Sequence, residues 1–431
     1  MENKIRVFLP RQYDLVVGDT FQLFYRGIIE APNPYCYSIV AVCEKGKNFP
    51  RYFEYTPTEE GKHLLTISVY NAEKTLLGTA STILNVVSAS APKKPVNILC
   101  VGDSLTQGGL WVGEVKRRLT ATDGEPVGNG FDNVNFVGTC FKNGVSFEGY
   151  GGWQWNSYTS DKAGSVWIQA PNKKTVEDQH SLWQDENGAI WQIETLQVDY
   201  LKLNRYKDHD QVLPTSGFLT HYKNAVNTEP IEFFSSSVGA VSPFYNEQTK
   251  SISLKSYVEK INVSSIDFVY ILLGANGLMR QIALTSTRHD YCQFVKEEAR
   301  VLIDIIKRDL KNVKIKIIAP PVPSVNGGMG NNYGADIPFA DGFDILIYLT
   351  ELNMAYESLA LEKGYNDFVE FIHLGGQFDT ENAYPSIQKP VNVRSKITER
   401  QDTNAMHPTV EGQMQIADAI YRNLIKELKN F

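Results

Sequence analysis

The chain has 431 residues, of which 42% are hydrophobic and 21% charged. Those proportions belong to a globular protein, and 32 glycines with 19 prolines exclude a collagen-like or low-complexity chain. The net charge of -7 falls wholly in residues 93–431, with 33 basic against 40 acidic side chains, which argues against nucleic acid as the main partner. At roughly 150 residues per domain the length predicts about three domains, or two with an insertion.

The N-terminal MENKIRVFLPRQYDLVVGD contains no apolar run of signal-peptide length, and no stretch of about 18 apolar residues follows. The expectation is a cytoplasmic protein with no membrane span, with secretion or attachment to a virion left open. Five cysteines (Cys36, Cys43, Cys100, Cys140 and Cys292) form no C-x-x-C pair. Cys100 and Cys140 lie in apolar, strand-like runs and are expected as buried free thiols, and the usage suits a reducing compartment. No histidine pair has metal spacing, so no metal or cofactor is predicted.

Residues 1–91 alternate apolar and polar positions in short runs, such as YDLVVGDTFQLFYRG and HLLTISVYNAEKTLLG. Turn residues recur at about 8–12 residue intervals, which predicts a small all-β, Ig-like sandwich. Residues 92–95 read as a linker, the end of the small, proline-bearing stretch SASAPKKP. From residue 96 to 431 the texture becomes α/β. NILCVGD, NVNFVGT, DFVYILLG, VKIKIIAP and FVEFIHLG are continuous apolar runs, as strands covered on both faces require. Helical spacing appears over Trp111–Leu119, Arg288–Leu310, Asp344–Lys363 and Val410–Lys429, so the expected core is a parallel sheet with right-handed crossovers. An aromatic-rich stretch, about 153–260, interrupts the alternation and reads as an insertion near the mouth of a site.

Four short blocks carry chemistry. Gly102-Asp103-Ser104-Leu105 follows the first strand and precedes a helical segment. A serine at a sharp turn there is placed as a nucleophile whose own N–H faces a developing oxyanion, or as a helix cap. Glu148-Gly149-Tyr150-Gly151-Gly152-Trp153 offers a close backbone N–H, or is a plain turn. Gly274-Ala275-Asn276-Gly277 ends the strand DFVYILL, where an Asn amide can donate to an oxyanion or simply form an Asn-Gly turn. Asn404-Ala405-Met406-His407-Pro408 precedes the last helical pattern, and His is the side chain suited to take a serine proton near neutral pH.

In this order the blocks resemble the SGNH (GDSL-type) hydrolase superfamily over roughly 96–429. The resemblance implies a three-layer flavodoxin-like fold and ester hydrolysis without a cofactor. It implies Ser104 as nucleophile and His407 as base. Ser104 N–H, Gly152 and Asn276 would form the oxyanion hole, with Gly151 the other register of the glycine loop. Two positions depart from the family pattern. Asn404 stands where an Asp usually precedes the His by three residues, and Gly277 stands where an Asp usually follows the Asn. An Asn carbonyl can orient an imidazole but brings no charge. Asn404 or Asp402 is expected as the third member.

Trp153 and Trp155 directly follow the glycine loop and are expected to bind substrate, or else to build a core. Flat rings among Asn and Ser suit a sugar, and no apolar lid is visible. The expected substrate is a small ester or an acetylated carbohydrate. The alternatives are a lipase or thioesterase, or a degenerate site kept for binding a glycan or receptor. No Gly-x-Gly-x-x-Gly or P-loop follows the first strand, which weakens a nucleotide reading.

Overall fold

The computed structural model describes residues 4–160, 165–171, 181–196, 200–205, 213–214, 216–223, 228–238, 241–276, 288–333 and 343–431. The chain forms two compact units, one of Met1–Trp155 with Ile261–Phe431, the other of Asn156–Lys260.

The larger unit begins with seven strands: β1 Gln12–Val16, β2 Phe21–Phe24, β3 Ser38–Val42, β4 Lys47–Asn48, β5 Tyr52–Tyr55, β6 Gly61–Tyr70 and β7 Leu76–Val87. They make a four-stranded sheet in the order β1-β7-β6-β3 and a three-stranded sheet in the order β2-β5-β4. Strand alternation sends one set of side chains inward. Leu15, Leu65, Ile67 and Leu84 from the first sheet meet Phe21, Leu23 and Phe53 from the second in one core.

The five apolar runs read from the sequence are strands: β8 Val96–Gly102, β9 Val134–Val137, β20 Phe268–Leu272, β21 Lys314–Ile318 and β22 Val369–Ile372. Between β9 and β20 come β10 Cys140–Lys142 and β11 Val145–Gly149, then the strands of the insertion. β8 pairs in parallel with β9, β11 and β20, and β20, β21 and β22 follow in turn. Counted along the chain, the five long runs lie in the order 2-1-3-4-5. The winding therefore reverses beside β8, whose carboxyl end is where ligands bind in open α/β sheets. Ile98, Cys100, Tyr270 and Leu272 point to one side, into a core shared with the helices Leu110–Thr120 and Val410–Leu428. The helix Phe343–Leu361 packs against β21, β22 and the helix Arg288–Asp309.

The insertion is a body of its own. Strands β12 Ser165–Gln169, β13 Leu182–Gln184, β14 Ile190–Leu196, β15 Tyr200–Arg205, β16 Ser216–His221 and β17 Ile231–Val238 close into an antiparallel barrel. Trp183 and Trp191 fill it with Ile193, Leu203, Leu219 and Phe233. Short strands with mixed polarity gave no sign that their ends would meet. Closure is a tertiary event that leaves no unpaired edge.

The N-terminal sheets and the parallel-sheet region share one unit because charged and aromatic groups interlock between them. Asp19 lies between Arg118 Nη2 and Arg422 Nε, each at 2.5 Å. Asp14 accepts from Asn423 Nδ2 at 2.9 Å and pairs with Lys426 at 3.1 Å. The Tyr13 hydroxyl meets His373 Nδ1 at 2.6 Å in a fully buried contact. A Cβ on Gly27 would fall 1.9 Å from the Gly375 carbonyl oxygen, so only a glycine allows the backbones this close. Burial pushes the Asp19 carboxyl upward, but Arg422 and Arg118 outweigh it and hold it below the ordinary 3.8. The stabilisation is thus present above that pH and is lost as pH falls through the lowered value. Asp19→Ala leaves two buried guanidinium groups short of a partner and is expected to cost about 3–5 kcal/mol, read from the urea midpoint. A loss below about 1 kcal/mol would mean that the N-terminal sheets do not depend on this contact.

Candidate active site

The sheet register brings three of the four blocks together. Gly149 and Leu272 both pair level with Gly102, so the glycine loop and the Asn276 turn emerge on either side of the end of β8. A Cβ on Gly102 would sit 2.1 Å from Thr106 Oγ1 and 2.9 Å from the Leu272 carbonyl oxygen. Glycine lets the chain turn here without leaving the sheet. Asp103, not Ser104, caps the helix Ser104–Gln107: its carboxylate accepts the Leu105 N–H at 3.0 Å and its carbonyl those of Thr106 and Gln107. The Ser104 hydroxyl is thereby left free of capping duty.

His407 meets it. Its Nε2 lies 2.9 Å from Ser104 Oγ across 303 positions of sequence. With the ring proton on Nδ1, Oγ–H donates to Nε2, the arrangement a general base needs. The ring keeps an exposed edge, while burial of the rest lowers its pKa from the ordinary 6.5. No carboxylate opposes that shift. Asp402 is fully buried and accepts from Ser324 Oγ at 2.7 Å and Arg400 Nε at 3.0 Å. Asn404 Oδ1 accepts the backbone N–H groups of Met406 and His407 at 3.0 and 2.8 Å. Among the described residues neither Asp402 nor Asn404 bonds to the imidazole, and His407 Nδ1 has no partner. Both are spent on shaping the loop that carries the ring, because the turn needs their oxygens for its own N–H and hydroxyl donors.

The glycine loop is held from behind. Glu148, fully buried, accepts from Thr139 N at 2.6 Å, Thr139 Oγ1 at 3.0 Å and Tyr150 Oη at 2.6 Å. The Tyr150 ring stacks on Trp153 with centroids 4.1 Å apart. Gly152 adopts a left-handed φ of 79°, and neither its N–H nor that of Ser104 is engaged among the described residues. The Asn276 amide donates to Asp103 Oδ2 and to the Trp153 carbonyl, both at 3.1 Å. Burial pushes the Asp103 carboxyl up to about 7, against the pull of the Leu105 N–H. Gly277 lies outside the described residues.

Trp153 and Trp155 do not present open faces. They are 6% and 1% exposed, and Trp155 Nε1 donates to the Tyr356 hydroxyl at 2.7 Å. Their role is packing, because rings this large near a turn gain most from burial.

One element was missed from the sequence. The segment after β21, Ala319–Tyr333, clamps the His407 loop. Ser324 N donates to the Ala405 carbonyl at 2.9 Å, Asp402 N to the Asn326 carbonyl at 2.8 Å, and Ala405 N to Asn332 Oδ1 at 2.5 Å. Its signal was available in PPVPSVNGGMGNN, a turn-rich run at the carboxyl end of a parallel strand, where sites gather.

A comparison with protein-family models finds no match, and a comparison with curated proteins finds none. Similar solved structures include a carbohydrate acetylesterase family member from Sinorhizobium meliloti, at 11% identity and TM-score 0.34 over 78% of this chain and 100% of that one. An aryl esterase of M. smegmatis is 12% identical with TM-score 0.35, covering 77% and 99%. A Streptomyces rimosus lipase is 11% identical with TM-score 0.32, covering 77% and 99%. These likenesses are distant, and the site's chemistry rests on its own geometry.

Two outcomes follow from that geometry. If His407 serves as the base of an ester hydrolysis, its lowered pKa keeps it neutral to lower pH, so the acid limb of kcat/KM for a soluble ester should lie below 6.5 and persist in Asp103→Asn. A midpoint above 7 would reveal a carboxylate acting on His407. Under the same condition Asn404→Ala, which frees the His407 turn, should lower kcat by about tenfold to hundredfold, while Asn404→Asp keeps the acceptor and most of the rate.

Proposed function

We propose that this chain is a serine ester hydrolase of the SGNH type. The observation that carries the reading is the 2.9 Å approach of His407 Nε2 to Ser104 Oγ at the carboxyl end of the first parallel strand. In this reading residues 96–431 are a three-layer, flavodoxin-like hydrolase domain with an insertion at about 153–260. Residues 1–91 are an Ig-like sandwich built onto it.

His407 takes the Ser104 proton through Nε2 as Oγ attacks the ester carbonyl carbon. The C–O π pair moves onto the carbonyl oxygen, and the backbone N–H groups of Ser104 and Gly152 receive that charge. Asn276 joins them by sharing an amide hydrogen now given to Asp103 or Trp153. Each such donor lowers the barrier by about 3–4 kcal/mol. His407 returns the proton to the leaving alcohol, the acyl group stays on Oγ, and water activated by the same imidazole releases the acid. Ser104 and His407 act as a pair, and Asn404 positions the ring through its backbone. Lack of a carboxylate at Nδ1 lowers the rate by up to about 10⁴-fold against a full triad.

The substrate we propose is an acetylated carbohydrate. Gln107 and Asn404, each three residues from a member of the pair, and Asn276, bonded to Asp103, are amides that suit sugar hydroxyls better than an acyl tail. The unpartnered Nδ1 favours, as a second reading, a site retained for binding alone. A fluorophosphonate probe distinguishes them. Covalent labelling that disappears in Ser104→Ala is expected, with His407→Ala lowering turnover by about 10⁴-fold or more. No labelling across the pH range supports the binding reading. Acetate released from acetylated oligosaccharides supports the carbohydrate, and hydrolysis of long-chain esters alone rejects it.

A further inference from the structure

The strands β23 Ser386–Pro390 and β24 Thr398–Asp402 form a two-stranded ribbon of their own. The register pairs Ser386 with Asp402 and Pro390 with Thr398, and the Val391 N–H donates to the Ile397 carbonyl at 3.0 Å. Side chains alternate, so Ile387, Val391 and Ile397 share one face. They are 52%, 40% and 71% exposed, and Val393 in the connecting turn is wholly open to solvent. A two-stranded ribbon is marginal in water by itself. Here the base is anchored through Arg400 and Asp402, while the aliphatic outer part meets no described residue that buries it.

Charge selects what covers it. Lys389, Arg394 and Lys396 are exposed on the same ribbon and none forms an ion pair among the described residues; Glu399, opposite Lys389 in the register and on the aliphatic face with it, is the ribbon's one exposed carboxylate, so the cations are in excess. They stand out in a region with an excess of acidic side chains. Aliphatic side chains at a tip with unpaired cations around them match an anionic lipid surface, in which acyl chains take the former and headgroups the latter. A glycan fits less well, since the ribbon has no aromatic ring. A second copy pairing ribbon to ribbon about a two-fold axis would set the cations against one another.

We propose that the β23–β24 ribbon docks this protein on an anionic lipid surface. Pro390 is four residues along the strand from Ser386, the partner of Asp402, so the tip is about 14 Å from the base. The proposal stands apart from the esterase reading.

The test is co-sedimentation of the full chain with phosphatidylcholine vesicles, with and without about 30 mol % phosphatidylserine. Pelleting is expected only with the anionic vesicles, and salt should reverse it. Each cation removed should weaken partition about fivefold, so Lys389→Glu with Arg394→Glu and Lys396→Glu abolishes it. Val393→Ser with Ile397→Ser should weaken it by about tenfold or more. Both variants should keep the wild-type melting temperature and any hydrolysis of a soluble acetyl ester. No pelleting on anionic vesicles, or equal pelleting of wild type and both variants, overturns the proposal. So does a sedimenting dimer that either variant dissociates, which assigns the ribbon to a second copy.

Discussion

The candidate site depends on one contact, between an oxygen on residue 104 and a nitrogen on residue 407. No local rule of the chain brings such distant groups to 2.9 Å. The parallel sheet does half the work by fixing where β8 ends. Its register places Gly149, Gly102 and Leu272 side by side, so loops from three parts of the chain leave the sheet at one level. Glycine at position 102 lets the turn be tight, and Asp103 takes over the cap, which keeps the serine hydroxyl available.

The other half is done by a hydrogen-bonded loop. The His407 loop gets its position from the bond of His407 N–H to Asn404 and from bonds of Ala405 with Asn332 and Ser324, rather than from a charge beside the ring. This separates two roles that one carboxylate usually combines, orientation and stabilisation of the imidazolium. Orientation survives through the turn. Stabilisation does not, and the lowered pKa of the ring is the electrostatic consequence, since burial acts on it unopposed.

The N-terminal sheets also reach the site's support. Asp19 holds Arg422 on the helix Val410–Leu428 and Arg118 on the helix Leu110–Thr120, the two helices that follow His407 and Ser104 in the chain. A buried carboxylate between two guanidinium groups is costly to form and costlier to break. It therefore ties the N-terminal sheets at once to the helices that follow Ser104 and His407. The tryptophans follow the same logic of support. Trp155 packs on Tyr356 and Trp153 on Tyr150, where they stiffen the glycine loop instead of facing a ligand.

The sequence by itself determined the strands of the parallel sheet and singled out Ser104 and His407 as candidates. Continuous apolar runs mark β8, β9, β20, β21 and β22, because a strand buried on both faces cannot alternate. Glycine, serine, asparagine and histidine are legible as chemistry because few residues can turn so sharply or carry a proton near neutral pH. Tertiary structure decided the rest. Whether Asp402 faces an imidazole or a serine depends on partners such as Ser324, nearly eighty positions away, and spacing carries no such information. Closure of the barrel, burial of Trp155 and the clamp from Ala319–Tyr333 depend likewise on contacts distant in the chain. Local pattern reports which side chains seek burial or a bond, and only the folded chain decides which partner each one finds.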